Sequence, residues 1–200
     1  MASARVQEDR VTGIWTLFRD RRAQKRRAEA LYRNLMAAAL APEAYAAGAV
    51  PDDLDHRVQM VSLHAALLTW RLSRCPEKEL RQLPRQIHAC IFDGFDASFR
   101  ETGVGDASIA RKVRKLGEHH YGLGTAIAQV LSAMSSDRAA GLAEVLQRNG
   151  VTAPGREMAL AGHLLVLADA FEASPSDVFL AGEAPWQPFP ATSRRSVAKV

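Results

Sequence analysis

Between Ile109 and Met134 the residues Ile109, Val113, Leu116, His120, Leu123, Ile127, Val130 and Met134 recur in steps of four and three without interruption. A strand repeats every two residues, so this period admits only a long amphipathic helix whose apolar side needs a partner. The opposite side carries Arg111, Lys112, Arg114 and Lys115. Upstream, Ile87, Ile91, Phe92, Phe95 and Phe99 line up at about 100° per residue and mark a second helix that faces a core. Asp93, Asp96 and Arg100 fall on its flank, with Asp96 and Arg100 spaced for a salt link. Gly103 is placed as a left-handed helix stop, Gly105 loosens the corner, and Asp106 can cap the following helix. The two helices therefore meet at a corner that sets an acidic flank beside a basic one.

No run of alternating strand residues and no internal repeat occurs elsewhere, so the expectation is an all-α, single-domain helical bundle. Its longest interior element runs from a cap at Asp52 or Asp53 to about Arg74. Leu54, Val58, Val61, Ala65, Leu68 and Leu72 form one apolar stripe on it, and Met60, Leu63, Leu67 and Trp70 form a second. A helix apolar on two stripes belongs at the centre of a bundle and should be its most buried member. Arg57, His64 and Arg71 lie between the stripes; His64 reads as a core-edge histidine satisfied by a carboxylate. A short helix around Tyr45 is stopped by Gly48 and Pro51, and Pro76 and Pro84 bracket a connection with one helical turn. Ser136 and Asp137 start a helix that buries Leu142, Val145 and Leu146 and stops at Asn149-Gly150. Pro154 opens the last one, through Met158, Leu160, Leu164, Leu165 and Phe171. From Ser174 the chain turns proline-rich and basic, with Arg194, Arg195 and Lys199, and reads as an irregular, partly extended tail pinned by Trp186 and Phe189. The divisions are a basic amphipathic N-terminal helix (1–30), a helical domain (31–172) and the tail (173–200).

Charge is unevenly placed. The chain has 26 Lys and Arg against 22 Asp and Glu, yet nine of the basic residues fall in the first 35 positions against four acids. Val11, Ile14, Trp15 and Phe18 make an apolar stripe that runs into Arg19, Arg21, Arg22, Lys25, Arg26 and Arg27. Ile14, Trp15, Phe18, Arg22 and Arg26 could lie on an anionic membrane surface. Equally, the aromatics could staple the helix to the core while the arginines are solvated. No aromatics are interleaved with the arginines, so a specific nucleic acid is not expected. The N-terminus lacks a signal-peptide run, and no stretch approaches the roughly 18 apolar residues of a membrane span. Cys75 and Cys90 are too few for a disulfide scaffold or zinc site, which suits a reducing compartment. The expected place is cytoplasmic, peripheral at the inner face of the cytoplasmic membrane.

Asp93, Asp96, Glu101 and Asp106 are the most enzyme-like set, because close carboxylates can hold a divalent metal or act as an acid and base. A helical metal- or small-ligand-binding enzyme using Asp93, Asp96 and Asp106 is the alternative class. The Glu-x-x-His pairs of a helical di-iron site, the nucleophile elbow, the phosphate loop and the dinucleotide fingerprint are all missing from the sequence. Glu118, His119 and His120 are adjacent and point in different directions around a helix. Arg100 among the acids favours a neutralised patch over a metal cage, so binding is the expected work, without a catalytic residue, a metal or a cofactor.

Tyr45 with VPDDLDHR, then SLHAALLTWRL, FDGFDASFRETGVGD, VRKLGEHHYG and LQRNG resemble the ubiquinol-cytochrome c chaperone family in order and spacing, over roughly Leu31 to Gly150, and look like a bacterial member. The segment ending in FRETGVGD is the most specific piece. The resemblance implies an α-helical, non-enzymatic assembly factor that holds newly made cytochrome b for the cytochrome bc1 complex. In mitochondrial relatives it implies a small partner protein and a position near the ribosomal exit tunnel. Three positions depart from the family pattern: Phe99 where leucine is usual, His56 where glycine is usual, and Leu123 where arginine often follows Tyr-Gly. Leu123 would take a surface cation from that edge. A very apolar client with basic loops calls for an apolar groove rimmed by acids. The expected client surface is Asp93, Asp96, Arg100, Asp106, Arg111 and Arg114.

Overall fold

Asp53 adopts extended backbone, and its carboxylate accepts the His56 N–H at 2.9 Å, which starts the helix about which the rest is arranged. That bond, with a second from the His56 ring, holds the Asp53 carboxyl below the usual carboxylate range. The computed structural model describes residues 2–101, 106–133 and 136–190; the side chains of 2–18, 99 and 106–110 lie outside the description. Every regular element among the described residues is a helix: α1 (Ala2–Ala39), α2 (Glu43–Ala46), α3 (Leu54–Ser73), α4 (Lys78–Arg81), α5 (Leu83–Glu101), α6 (Asp106–Ser132), α7 (Arg138–Arg148), α8 (Glu157–Ala173) and α9 (Ser176–Leu180). None of them is long and apolar enough to cross a membrane.

Helix α3 packs against α1, α5, α6 and α8, and α7 pairs with α8. Met60 through Leu68 are buried without a break. Leu63, Leu67, Leu68 and Leu72 have no exposed surface, and each such leucine contributes about 1.5–3 kcal/mol relative to an exposed one. Two members of the first stripe depart from this, the half-buried Val58 and, further out, Leu54. Leu54 is 58% exposed, because α3 enters the core only after its first turn. His64 is buried, but its partner is a backbone carbonyl and not a carboxylate: Nδ1 donates to Met60 O at 2.8 Å. Burial, reinforced by nearby His163, pulls the His64 imidazole down to about 4.

On α6 the expected stripe buries His120, Leu123 and Ile127, while Val113, Leu116 and Val130 are half-buried and Leu131 takes a buried place beyond them. Leu123 is 1% exposed, so it fills the core and leaves no gap in a charged edge, contrary to the expectation. On α5, Ile87 and Ile91 are buried and Phe92 and Phe95 half-buried; the Phe99 side chain lies outside the described residues. Gly103, Gly105, Met134 and the basic end at Arg194, Arg195 and Lys199 also lie outside them.

The C-terminal half of α1 meets parts of the chain far away in sequence. Past Ser174 the tail forms α9, a helix that the residue pattern did not mark, and then an extended strap over 183–190. Arg27, at the end of the cationic run, donates to Leu180 O at 2.7 Å, and Asn34 donates to Gly182 O at 3.3 Å. Gly182 has φ +84°, and a Cβ there would stand 2.8 Å from the Ala30 Cβ. Only glycine meets both demands without strain. From α3, Arg71 donates to Phe171 O at 2.7 Å and Ser174 O at 3.0 Å, and its guanidinium lies over the Phe179 ring. The strap is pinned as expected, with Trp186 against His64 and Phe171 and Phe189 against His163.

Candidate functional site: an apolar groove at the meeting of four helices

Helices α1, α3, α5 and α6 leave a groove of about 700 Å³. Met36 comes from α1 and Leu40 from the turn just after it, Leu54 and Val58 from α3, Phe95 from α5 and Leu116 from α6. These are stripe residues only partly used by the core, which is why the groove is apolar. Tyr32 also lines it. Burial, with Cys90 and Asp93 nearby, pushes the Tyr32 phenol up from its usual value. Gly94 makes room for that ring, since a Cβ at this position would lie 2.6 Å from the Tyr32 hydroxyl oxygen.

The charged groups on the groove are mainly basic. Lys112 and Lys115 stand on the α6 side, Arg57 and Asp55 on the α3 side. Arg57 is tied to Asp52 at 2.7 Å and lies over the Tyr45 ring. Asp93 and Asp96 are on the outer flank of α5 and are not part of the lining. Asp96 holds Arg100 at 2.8 Å, the salt link that the spacing predicts. Arg111 and Arg114 are exposed on α6 next to the two lysines that do line the groove. Asp106 is the first residue of α6, with its side chain outside the described residues. Of the N-terminal surface, Arg22 and Arg26 are exposed, whereas the side chains of Ile14, Trp15 and Phe18 are outside the description. No three His, Cys, Asp or Glu side chains among the described residues are placed to hold a metal ion.

A polar chain under the groove's neighbouring face was not read from the sequence. Ser62 donates to Val58 O at 3.0 Å, so its oxygen accepts from His120 Nδ1 at 2.9 Å. The other His120 nitrogen then accepts from His88 Nδ1 at 2.9 Å, which fixes the tautomers of both rings. Burial first, then His88 and His119, bring His120 down to about 4, and burial lowers His88. The available signal was a histidine inside an otherwise apolar stripe, which requires a polar partner from another helix.

A family model for the ubiquinol-cytochrome c chaperones matches residues 46–186. The chain belongs to the ubiquinol-cytochrome c chaperone family. That makes it an assembly chaperone of the cytochrome bc1 complex, and membership implies binding work in place of catalysis. The match takes in α8, α9 and the first half of the strap, beyond the Gly150 limit of the sequence resemblance. In structure the chaperone is similar to the crystal structure of the Cbp3 homolog from Brucella abortus, with a TM-score of 0.73 and 27% identity over 88% of this chain and 97% of that one. No curated protein matches it.

Proposed function

We propose that this chaperone captures newly made cytochrome b in the groove between α1, α3, α5 and α6 and keeps it competent for bc1 assembly. The observation that carries this reading is an open apolar groove, with an exposed Leu54 at its edge, in a member of this family. An apolar segment can lay its side chains on Met36, Leu40 and Phe95. Lys112, Lys115 and Arg57 suit the negative end of a helix or an acidic residue at the end of that segment. Asp93 and Asp96 offer basic client loops a second contact on the outer flank.

Exposed Arg19, Arg22, Lys25 and Arg26 of α1 support a peripheral position at the inner, anionic face of the membrane. Such attraction is screened over about 8 Å at physiological ionic strength, so anionic vesicles should bind the chaperone and release it in high salt. Reversing Arg19, Arg22 and Arg26 to glutamate tests this better than truncation, because Arg27 holds the tail. Vesicle binding equal to that of the native chain would refute the membrane part.

For the client, the test is co-purification of cytochrome b with the native chain and with Leu54→Asp and Lys112→Glu/Lys115→Glu variants. Expected is capture by the native chain and loss of capture in folded variants. Deleting the gene should lower cytochrome b and bc1 activity while quinol oxidase respiration persists. Normal bc1 levels in the deletion strain would end the cytochrome b reading; undiminished capture by both variants would end only the assignment of the groove.

A further inference from the structure

A smaller cavity, of about 180 Å³, lies between the α1–α2 turn, α3, α8 and the strap. Two of its polar atoms, Glu43 Oε2 and the Trp186 indole nitrogen, are buried without a partner among the described residues, and two histidines stand beside them. His64 is 4% exposed and, with Nδ1 donating to Met60 O, turns an acceptor at Nε2 to its surroundings. His163 is 8% exposed and has no hydrogen bond among the described residues; its ring meets Phe189 edge-on at 5.1 Å. The unpaired carboxylate oxygen of Glu43 and the indole N–H of Trp186 complete the set. All four residues line this one cavity. Buried polar groups left unpaired are rare and destabilising, so their convergence calls for an occupant that matches them.

The set defines that occupant. A carboxylate oxygen and imidazole acceptors ask for a cation with several N–H donors, and the Trp186 and Phe189 rings attract a cation with their faces. The indole N–H asks for an oxygen close to that cation. The carboxylate and the two imidazoles are not arranged to hold a metal ion. The volume corresponds to about six waters at ~30 Å³ each, enough for a two-carbon amine. We infer that this cavity is a binding site for a small alkylammonium group with a neighbouring oxygen, the chemistry of ethanolamine, taken either free or as a phospholipid headgroup under the strap. The inference is independent of the cytochrome b reading.

The test uses the full chain with ¹⁵N-labelled tryptophan, titrated with ethanolamine hydrochloride against sodium chloride of equal ionic strength. The Trp186 indole resonance, assigned with Trp186→Phe, should shift saturably. Glu43→Gln, which keeps shape and loses charge, should weaken binding by about tenfold or more, as expected for a lost charge-assisted hydrogen bond. Propylammonium, lacking the oxygen, should bind more weakly, and sodium acetate should leave the resonance in place. Competition by phosphatidylethanolamine vesicles identifies the headgroup as the source; saturable binding without such competition identifies the free amine. No saturable shift, an equal response to acetate, or unchanged affinity in Glu43→Gln overturns the site. Should that variant unfold, the acetate and propylammonium arms still decide.

Discussion

Lowering the pH from 7 to 5 should destabilise this chaperone, and His64 allows the size of the effect to be worked out. Its folded value is about 4 against 6.5 for a free histidine, so between these values the unfolded chain binds the proton and the folded chain does not. Stability therefore falls as pH falls through that window and levels off below about pH 4. With these two values the loss from pH 7 to pH 5 is about 2 kcal/mol for His64 alone. His120 should add a loss of similar order, shared with His88 because the two rings are hydrogen-bonded. Asp52 and Asp53, both held below the usual carboxylate range, lose their contributions only at lower pH. His64→Asn isolates the term. Asn34 and Asn149 already donate from their side chains to the carbonyl four residues back, so asparagine can keep the bond to Met60 O without an ionisable ring. The smaller side chain lowers stability at both pH values, which cancels in the difference. Urea unfolding at pH 7 and pH 5 should show a pH-dependent loss smaller by about 2 kcal/mol in the variant. An identical loss in both chains would refute the assignment of the buried, neutral ring.

Two further perturbations test the joints of the bundle. Arg71→Met removes donors from Phe171 O and Ser174 O and should cost about 1.5–3 kcal/mol, the scale of hydrogen bonds from a charged donor; limited proteolysis should then cut at the strap first, and an unchanged urea midpoint would count against the clasp. Gly182→Ala imposes φ +84° on a residue with a Cβ and sets that Cβ 2.8 Å from Ala30, so a loss of about 1–2 kcal/mol from the backbone alone is expected in thermal unfolding; a melting temperature equal to that of the native chain would refute the close approach.

The long stripes made the helices legible in the sequence, because a period of three and four over many turns excludes other elements; the family was legible from short motifs, FRETGVGD above all. The groove was less so. Leu54 belongs to a stripe by rotation, but whether the first turn of α3 reaches the core depends on where α1 and α5 lie. The same holds for Lys112 and Lys115, which share a side of α6 with Arg111 and Arg114 in the residue pattern and are sorted from them only by packing. Helix α9 was hidden because a five-residue helix carries no period, and its one buried residue, Phe179, gives no repeat. Arg27 read as part of a solvated cationic run, since the carbonyl that it holds belongs to Leu180, and no local pattern announces a partner so remote.

That remoteness has a consequence for how the chain acquires its shape. The bonds from Arg27 to Leu180 and from Arg71 to Phe171 join residues separated by 153 and 100 positions. Contacts of such large sequence separation are entropically slow to close, and they can close only after almost everything between them has been synthesised. During translation Arg27 of α1 and Arg71 of α3 therefore wait for their carbonyl partners until α8 and α9 have emerged. A bc1 assembly chaperone built this way joins its first helices to their distant partners only after α9 has been made.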